Sequence, residues 1–160
     1  MTQVKGYLKV CRIPTGIYAL LMVYVGFSFY PDQVSFWLYT IVATTYAAIT
    51  MSIMVINDIV DYKRDVIKGK CFARDNLKEL KSFWKKFNIV TSILLLAVWL
   101  TSPWLGLYCS CIWLLGISYS YIPKWFLLNT TLVAICSGSP ALVGWVHHGH
   151  LSLGAMMTFF

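Results

Sequence analysis

Asn57-Asp58-Ile59-Val60-Asp61-Tyr62-Lys63-Arg64-Asp65 places three carboxylates and a carboxamide where a long apolar run gives out. At about 100° per residue on a helix, Asn57, Asp58, Asp61 and Asp65 fall within about one third of the circumference and form one acidic face. Carboxylates at four-residue spacing stand about 6 Å apart, close enough for magnesium ions to be shared between them and the oxygens of a diphosphate. Magnesium prefers hard oxygen ligands and is usually held by one or two carboxylates together with substrate phosphates. A solvated helix end pairing its aspartates with Lys63, Arg64 and Lys68 is the alternative, but polar groups at membrane depth are costly and favour a functional role.

The elements that must position this face are built for lipid. Hydrophobic residues make up 59% of the 160, and charged residues only 12%, which excludes an ordinary soluble domain. Five uncharged runs are expected to span a bilayer: residues 13–29, 34–56, 87–101, 104–121 and 126–146, separated by turn-forming Pro31-Asp32-Gln33, Ser102-Pro103 and Ile122-Pro123-Lys124. A sixth run, 151–160, covers roughly 15 Å, about half a hydrocarbon core, so the chain is expected to end inside a span it does not complete. The expected fold is an all-α polytopic membrane helix bundle of five complete spans plus the start of a sixth, forming one domain over 1–160. The first run lacks the small-residue cleavage pattern of a signal peptide and reads as a retained span.

The 13 Lys and Arg residues set the orientation. Lys5, Lys9 and Arg12 precede the first run, nine lie between Lys63 and Lys86, and Lys124 follows the fourth run. Alternating spans put these three segments on one side, so the amino terminus and the acidic face are expected to be cytoplasmic, in the cell (inner) membrane. The net charge of +7 is then mostly topology, and nucleic acid is not an expected partner. Leu77, Leu80, Trp84 and Phe87 recur at spacings of three and four opposite Lys78, Lys81, Lys85 and Lys86, with Asn76 and Glu79 as a capping pair. The pattern predicts an amphipathic helix at the cytoplasmic surface, either leading into the third span or lying as a lid over the acidic face.

Other chemistry-bearing residues form weaker patterns. His147, His148 and His150 sit at an outward helix end and read as a hydrated interface more readily than as a metal site. The five cysteines, Cys11, Cys71, Cys109, Cys111 and Cys136, have neither zinc nor disulfide spacing and read as small buried hydrophobes.

Asn57-Asp58-x-x-Asp61-x-x-x-Asp65 resembles the first aspartate-rich motif of the UbiA superfamily of intramembrane prenyltransferases, which closes that family's second span. Arg74, nine residues past Asp65, resembles the family's Arg-Pro position, although Asp75 stands in place of the proline. Tyr119-Ser120-Tyr121 with Lys124 resembles its Tyr and Lys pair after the fourth span, though at a less common spacing. Asn129, Gly138, Pro140 and Gly144 resemble its fifth helix, and Arg12-Ile13-Pro14 its opening segment.

The resemblance implies a bundle of about nine helices in which two aspartate-rich motifs hold magnesium and the diphosphate of an isoprenoid donor. Carried onto this chain, Asn57, Asp58, Asp61 and Asp65 would be the Mg²⁺ ligands. Asn57, Arg12, Arg74 and Lys124 would bind diphosphate, and Asp58, Asp61, Asp65, Lys124 and Tyr121 would serve catalysis. The implied reaction transfers the prenyl group of a prenyl diphosphate to an aromatic or lipid acceptor within the lipid bilayer. The family's second motif does not occur in the 160 residues, so they are expected to be the amino-terminal part of a longer enzyme, with little activity alone. Two other functions compete: a non-catalytic membrane subunit or prenyl- or quinone-binding scaffold that keeps half of the site, and a phosphotransferase acting on CDP-linked alcohols. The second lacks its Asp-Gly-x-x-Ala-Arg signature here.

Overall fold

The computed structural model describes residues 2–29, 34–67, 72–123 and 127–149; among them the chain is helical throughout, with no strand. Helix α1 is Thr2–Cys11 and α2 is Ile13–Ser28, with Arg12 between them in the left-handed region at φ 48°, ψ 58°. Pro14 falls in the first turn of α2, where its missing N–H costs no hydrogen bond. Helix α3, Phe36–Val60, starts at Ser35, whose hydroxyl accepts from the Leu38 N–H at 3.2 Å. Short helices α4, Tyr62–Ile67, and α5, Phe72–Asp75, follow. Then come α6, Leu77–Thr101, and α7, Pro103–Tyr121, which only Ser102 separates, so they fold back on each other as a hairpin. Helix α8, Leu127–Gly138, runs into a single 3-10 turn, Ser139–Leu142, and then α9, Val143–His147.

Among the described residues four segments are long and apolar enough to cross a membrane: Gly6–Ser28, Phe36–Val60, Leu77–Thr101 and Leu127–His147. The expected fourth span does form a helix, α7, but Trp104, Tyr108, Tyr119 and Tyr121 with several serines leave it less apolar than those four. The fifth run bends at Pro140, which cannot donate to the ladder and crowds the preceding turn, hence the 3-10 turn inside it. The sixth run, 151–160, lies outside the described residues.

The amphipathic stretch after Asn76 is the opening of α6 itself, continuous with the third span, and not a separate surface helix or lid. Leu80 is fully buried while Lys78, Lys81, Lys85 and Lys86 are exposed, as the spacing predicts. The expected Asn76 and Glu79 capping pair is not made. The Asn76 side chain forms no cap hydrogen bond and donates instead to the Phe72 carbonyl at 3.0 Å.

Helix α3 is the centre of the bundle and packs against α1, α2, α6 and α7. The main core joins Val23, Val42, Tyr46, Val98, Leu105 and Cys109. A second cluster, with Val10, Val55, Ile56 and Leu80, lies where α1 and α5 meet the Asp58 end of α3. Small residues let backbones approach: a Cβ on Gly26 of α2 would stand 2.6 Å from the Ala141 carbonyl oxygen in the 3-10 turn.

Candidate functional site

The acidic residues lie on a helix end. Asn57, 7% exposed, and Asp58 belong to the last turn of α3, and Asp61 caps it, its N–H bonded to the Asn57 carbonyl at 2.9 Å. At Asp61 the backbone leaves helical geometry (φ −83°, ψ 2°), and the chain resumes as α4, which carries Asp65. The single straight acidic face read from the spacing is therefore broken at Asp61, with Asp65 on a separate short helix. The side chain of Asp65 lies outside the described residues.

A helix C-terminus carries partial negative charge and favours Lys or Arg, yet the last turn of α3 has no basic residue and holds Asp58, with Asp61 at its cap. Arg12 supplies part of the compensation from the break between α1 and α2: its Nη2 lies 3.0 Å from Asp58 Oδ1. The left-handed backbone at Arg12 is a strained conformation for a residue with a Cβ, held in place by the packing of α1 on α3.

Tyr119 of α7, 7% exposed, is the nearby aromatic, in electrostatic reach of Arg12, Asp58 and Asp61. Tyr121, the tyrosine singled out from the motif, is 63% exposed, and residues two apart on a helix face nearly opposite directions. The signal for Tyr119 is in the sequence. Leu105, Cys109, Ile112, Gly116 and Tyr119 form one stripe at spacings of three and four, all buried. Asn129 of α8 holds that helix end, its amide donating to the Tyr119 carbonyl at 3.0 Å and the Ile122 carbonyl at 3.4 Å.

Of the expected site residues, the structure brings Arg12 and Asp58 into contact beside Asn57 and Asp61. Arg74 lies on α5, but its side chain and all of Lys124 lie outside the described residues. Among the described residues no group of three His, Cys, Asp or Glu side chains could hold a metal. The donors present, two carboxylates and a carboxamide, are hard oxygens of the kind that share magnesium with a diphosphate, so the residues suit that ion. His147 is engaged otherwise, its Nδ1 lying 3.2 Å from Ser102 Oγ.

Tyr119 also lines an apolar crevice of about 70 Å³ between α2 and α8, floored by α3 and α7. Thr15, Met54 and Tyr119 border it at the Asp58 end; Tyr46, Ile112 and Pro140 border it at the other. One polar end and one apolar crevice thus meet at a single tyrosine.

A model of the UbiA prenyltransferase family matches residues 19–160. No curated protein and no solved structure matches the chain.

Proposed function

The chain belongs to the UbiA prenyltransferase family and is an integral membrane protein, and from this we propose that it takes part in Mg²⁺-dependent transfer of a prenyl group from a prenyl diphosphate to an aromatic or lipid acceptor. The observation that carries the reading is the α3 terminus: Asp58 and Asp61 crowd the negative end of a helix, with the Arg12 guanidinium paired across it. Such an end is stabilised by cations and, through them, by a diphosphate.

In this proposal Asn57, Asp58, Asp61 and Asp65 hold magnesium, which supplies charge neutralisation for the departing diphosphate. Arg12, Arg74 and Lys124 bind the diphosphate oxygens and stabilise the negative charge that grows on them. The bond between the allylic carbon and the diphosphate oxygen breaks with its electron pair leaving on the diphosphate; a nucleophilic atom of the acceptor then bonds to the allylic carbon and loses its proton. Tyr119 takes the place beside the reacting end that the motif suggested for Tyr121. The apolar crevice receives the isoprenoid chain and keeps water from the cation. The exposed lysines at the start of α6 support a cytoplasmic position for this end in the inner membrane. Residues 1–160 act as one domain.

A second reading is a non-catalytic subunit or scaffold that binds prenyl diphosphate. Both readings are tested with the complete protein in membranes, Mg²⁺ and a labelled prenyl diphosphate. Asp58→Ala and Asp61→Ala should abolish product formation while leaving membrane insertion unchanged, and normal turnover by either variant refutes the assignment. Saturable Mg²⁺-dependent binding without product identifies the scaffold.

A further inference from the structure

Tyr46 stands on α3 twelve residues before Asp58, about 18 Å away along the helix axis, and Met54, which borders the near end of the crevice, stands about 6 Å from Asp58. The crevice therefore extends for about 12 Å along α3 and stops at Tyr46. That end is firmly closed. Tyr46 is 1% exposed, and beside it the Tyr108 hydroxyl donates to the Ser139 carbonyl at 3.0 Å, tying α7 to the 3-10 turn that carries Pro140. The same turn is pinned to α2 by the close approach of Gly26 to Ala141.

We propose that Tyr46 is the residue that limits the length of prenyl chain the crevice accepts, and that the donor is a short prenyl diphosphate. The proposal rests on the prenyltransferase reading above and goes beyond it by assigning donor length to one side chain. With the diphosphate held at Asp58 and Asp61, the chain enters past Tyr119 and Met54 and meets the Tyr46 ring. Any further isoprene unit has to press against the Tyr46 ring or turn out between α2 and α8, past Tyr18 and Val133.

The test is Mg²⁺-dependent binding of dimethylallyl, geranyl, farnesyl and geranylgeranyl diphosphate to the purified protein in lipid nanodiscs, measured by calorimetry. After partitioning into protein-free nanodiscs is subtracted, wild-type protein should bind geranyl more tightly than geranylgeranyl diphosphate by roughly tenfold or more, the order expected when a chain too long for the crevice is forced against the Tyr46 ring. Tyr46→Leu should move that ratio toward one, Ile112→Ala at the same closed end should do so independently, and Tyr46→Phe, which rebuilds the ring, should return the short-chain order. Equal affinity for all four donors in the wild-type protein, or an unchanged ratio in both enlarged variants, overturns the proposal. Failure of every donor to bind would instead remove the prenyltransferase reading beneath it.

Discussion

Arg12 Nη2 and Asp58 Oδ1 are 3.0 Å apart although the two residues are 46 positions apart in sequence, and this pair ties the break between α1 and α2 to the acidic end of α3. The Arg12 side chain is 42% exposed, so solvent screens the pair and its loss should cost at most about 1 kcal/mol of stability. Its larger effect should be on diphosphate. Arg12→Ala is expected to weaken Mg²⁺-dependent prenyl diphosphate binding about tenfold or more, the size of a lost charged hydrogen bond. Arg12→Gly should lose the same affinity yet melt at a higher temperature than Arg12→Ala, because glycine adopts φ 48° without strain. Thermal unfolding in detergent alongside calorimetry reads both effects.

Removal of magnesium should abolish that binding in the wild-type protein. Asp58 and Asp61 at a helix C-terminus repel a diphosphate unless a divalent cation lies between them. Calorimetry with the free metal chelated should show no heat beyond dilution; undiminished affinity would mean that the acidic turn has no part in recognition.

Gly26→Ala should destabilise the outer seal of the bundle. Its Cβ would meet the Ala141 carbonyl oxygen at 2.6 Å and the carbonyl carbon at 3.0 Å, both backbone atoms that cannot swing aside. Overpacking of this kind costs about 1–3 kcal/mol. A melting temperature equal to that of the wild-type protein would show that α2 and the 3-10 turn are not in this contact.

Asn129→Ala should cost about 1–3 kcal/mol, because it strips the Tyr119 and Ile122 carbonyls of the amide that satisfies them at the end of α7. Asn129→Asp should be at least as harmful, since an ionised carboxylate accepts and cannot donate. Thermal unfolding of the two variants checks the order; a neutral Asn129→Ala would show that those carbonyls find another partner.

Much of this arrangement was readable from spacing. The acidic turn at the end of α3, the stripe of Leu77, Leu80, Trp84 and Phe87, and the helical nature of each apolar run are local patterns, and periodicity reports local patterns well. The stretch after Asn76 suits either a lead into the third span or a lid over the acidic face, and α6, unbroken from Leu77 to Thr101, is the first of these. The two tyrosines are a case that residue type leaves open. Tyr119 and Tyr121 are equivalent as residue types, and only the buried stripe from Leu105 to Tyr119 tells them apart.

By itself the sequence determined that the chain is helical and lipid-embedded and that Asp58 and Asp61 lie where an apolar helix ends, because composition, period and charge act within a few turns of each residue. Tertiary structure decided that Arg12 meets Asp58, that Tyr119 is buried while Tyr121 is exposed, and that Tyr46 lines the crevice. Those outcomes depend on which helices pack against α3 and at what rotation. Packing between elements far apart in the chain is settled by shape and by burial of whole faces, which no local spacing records.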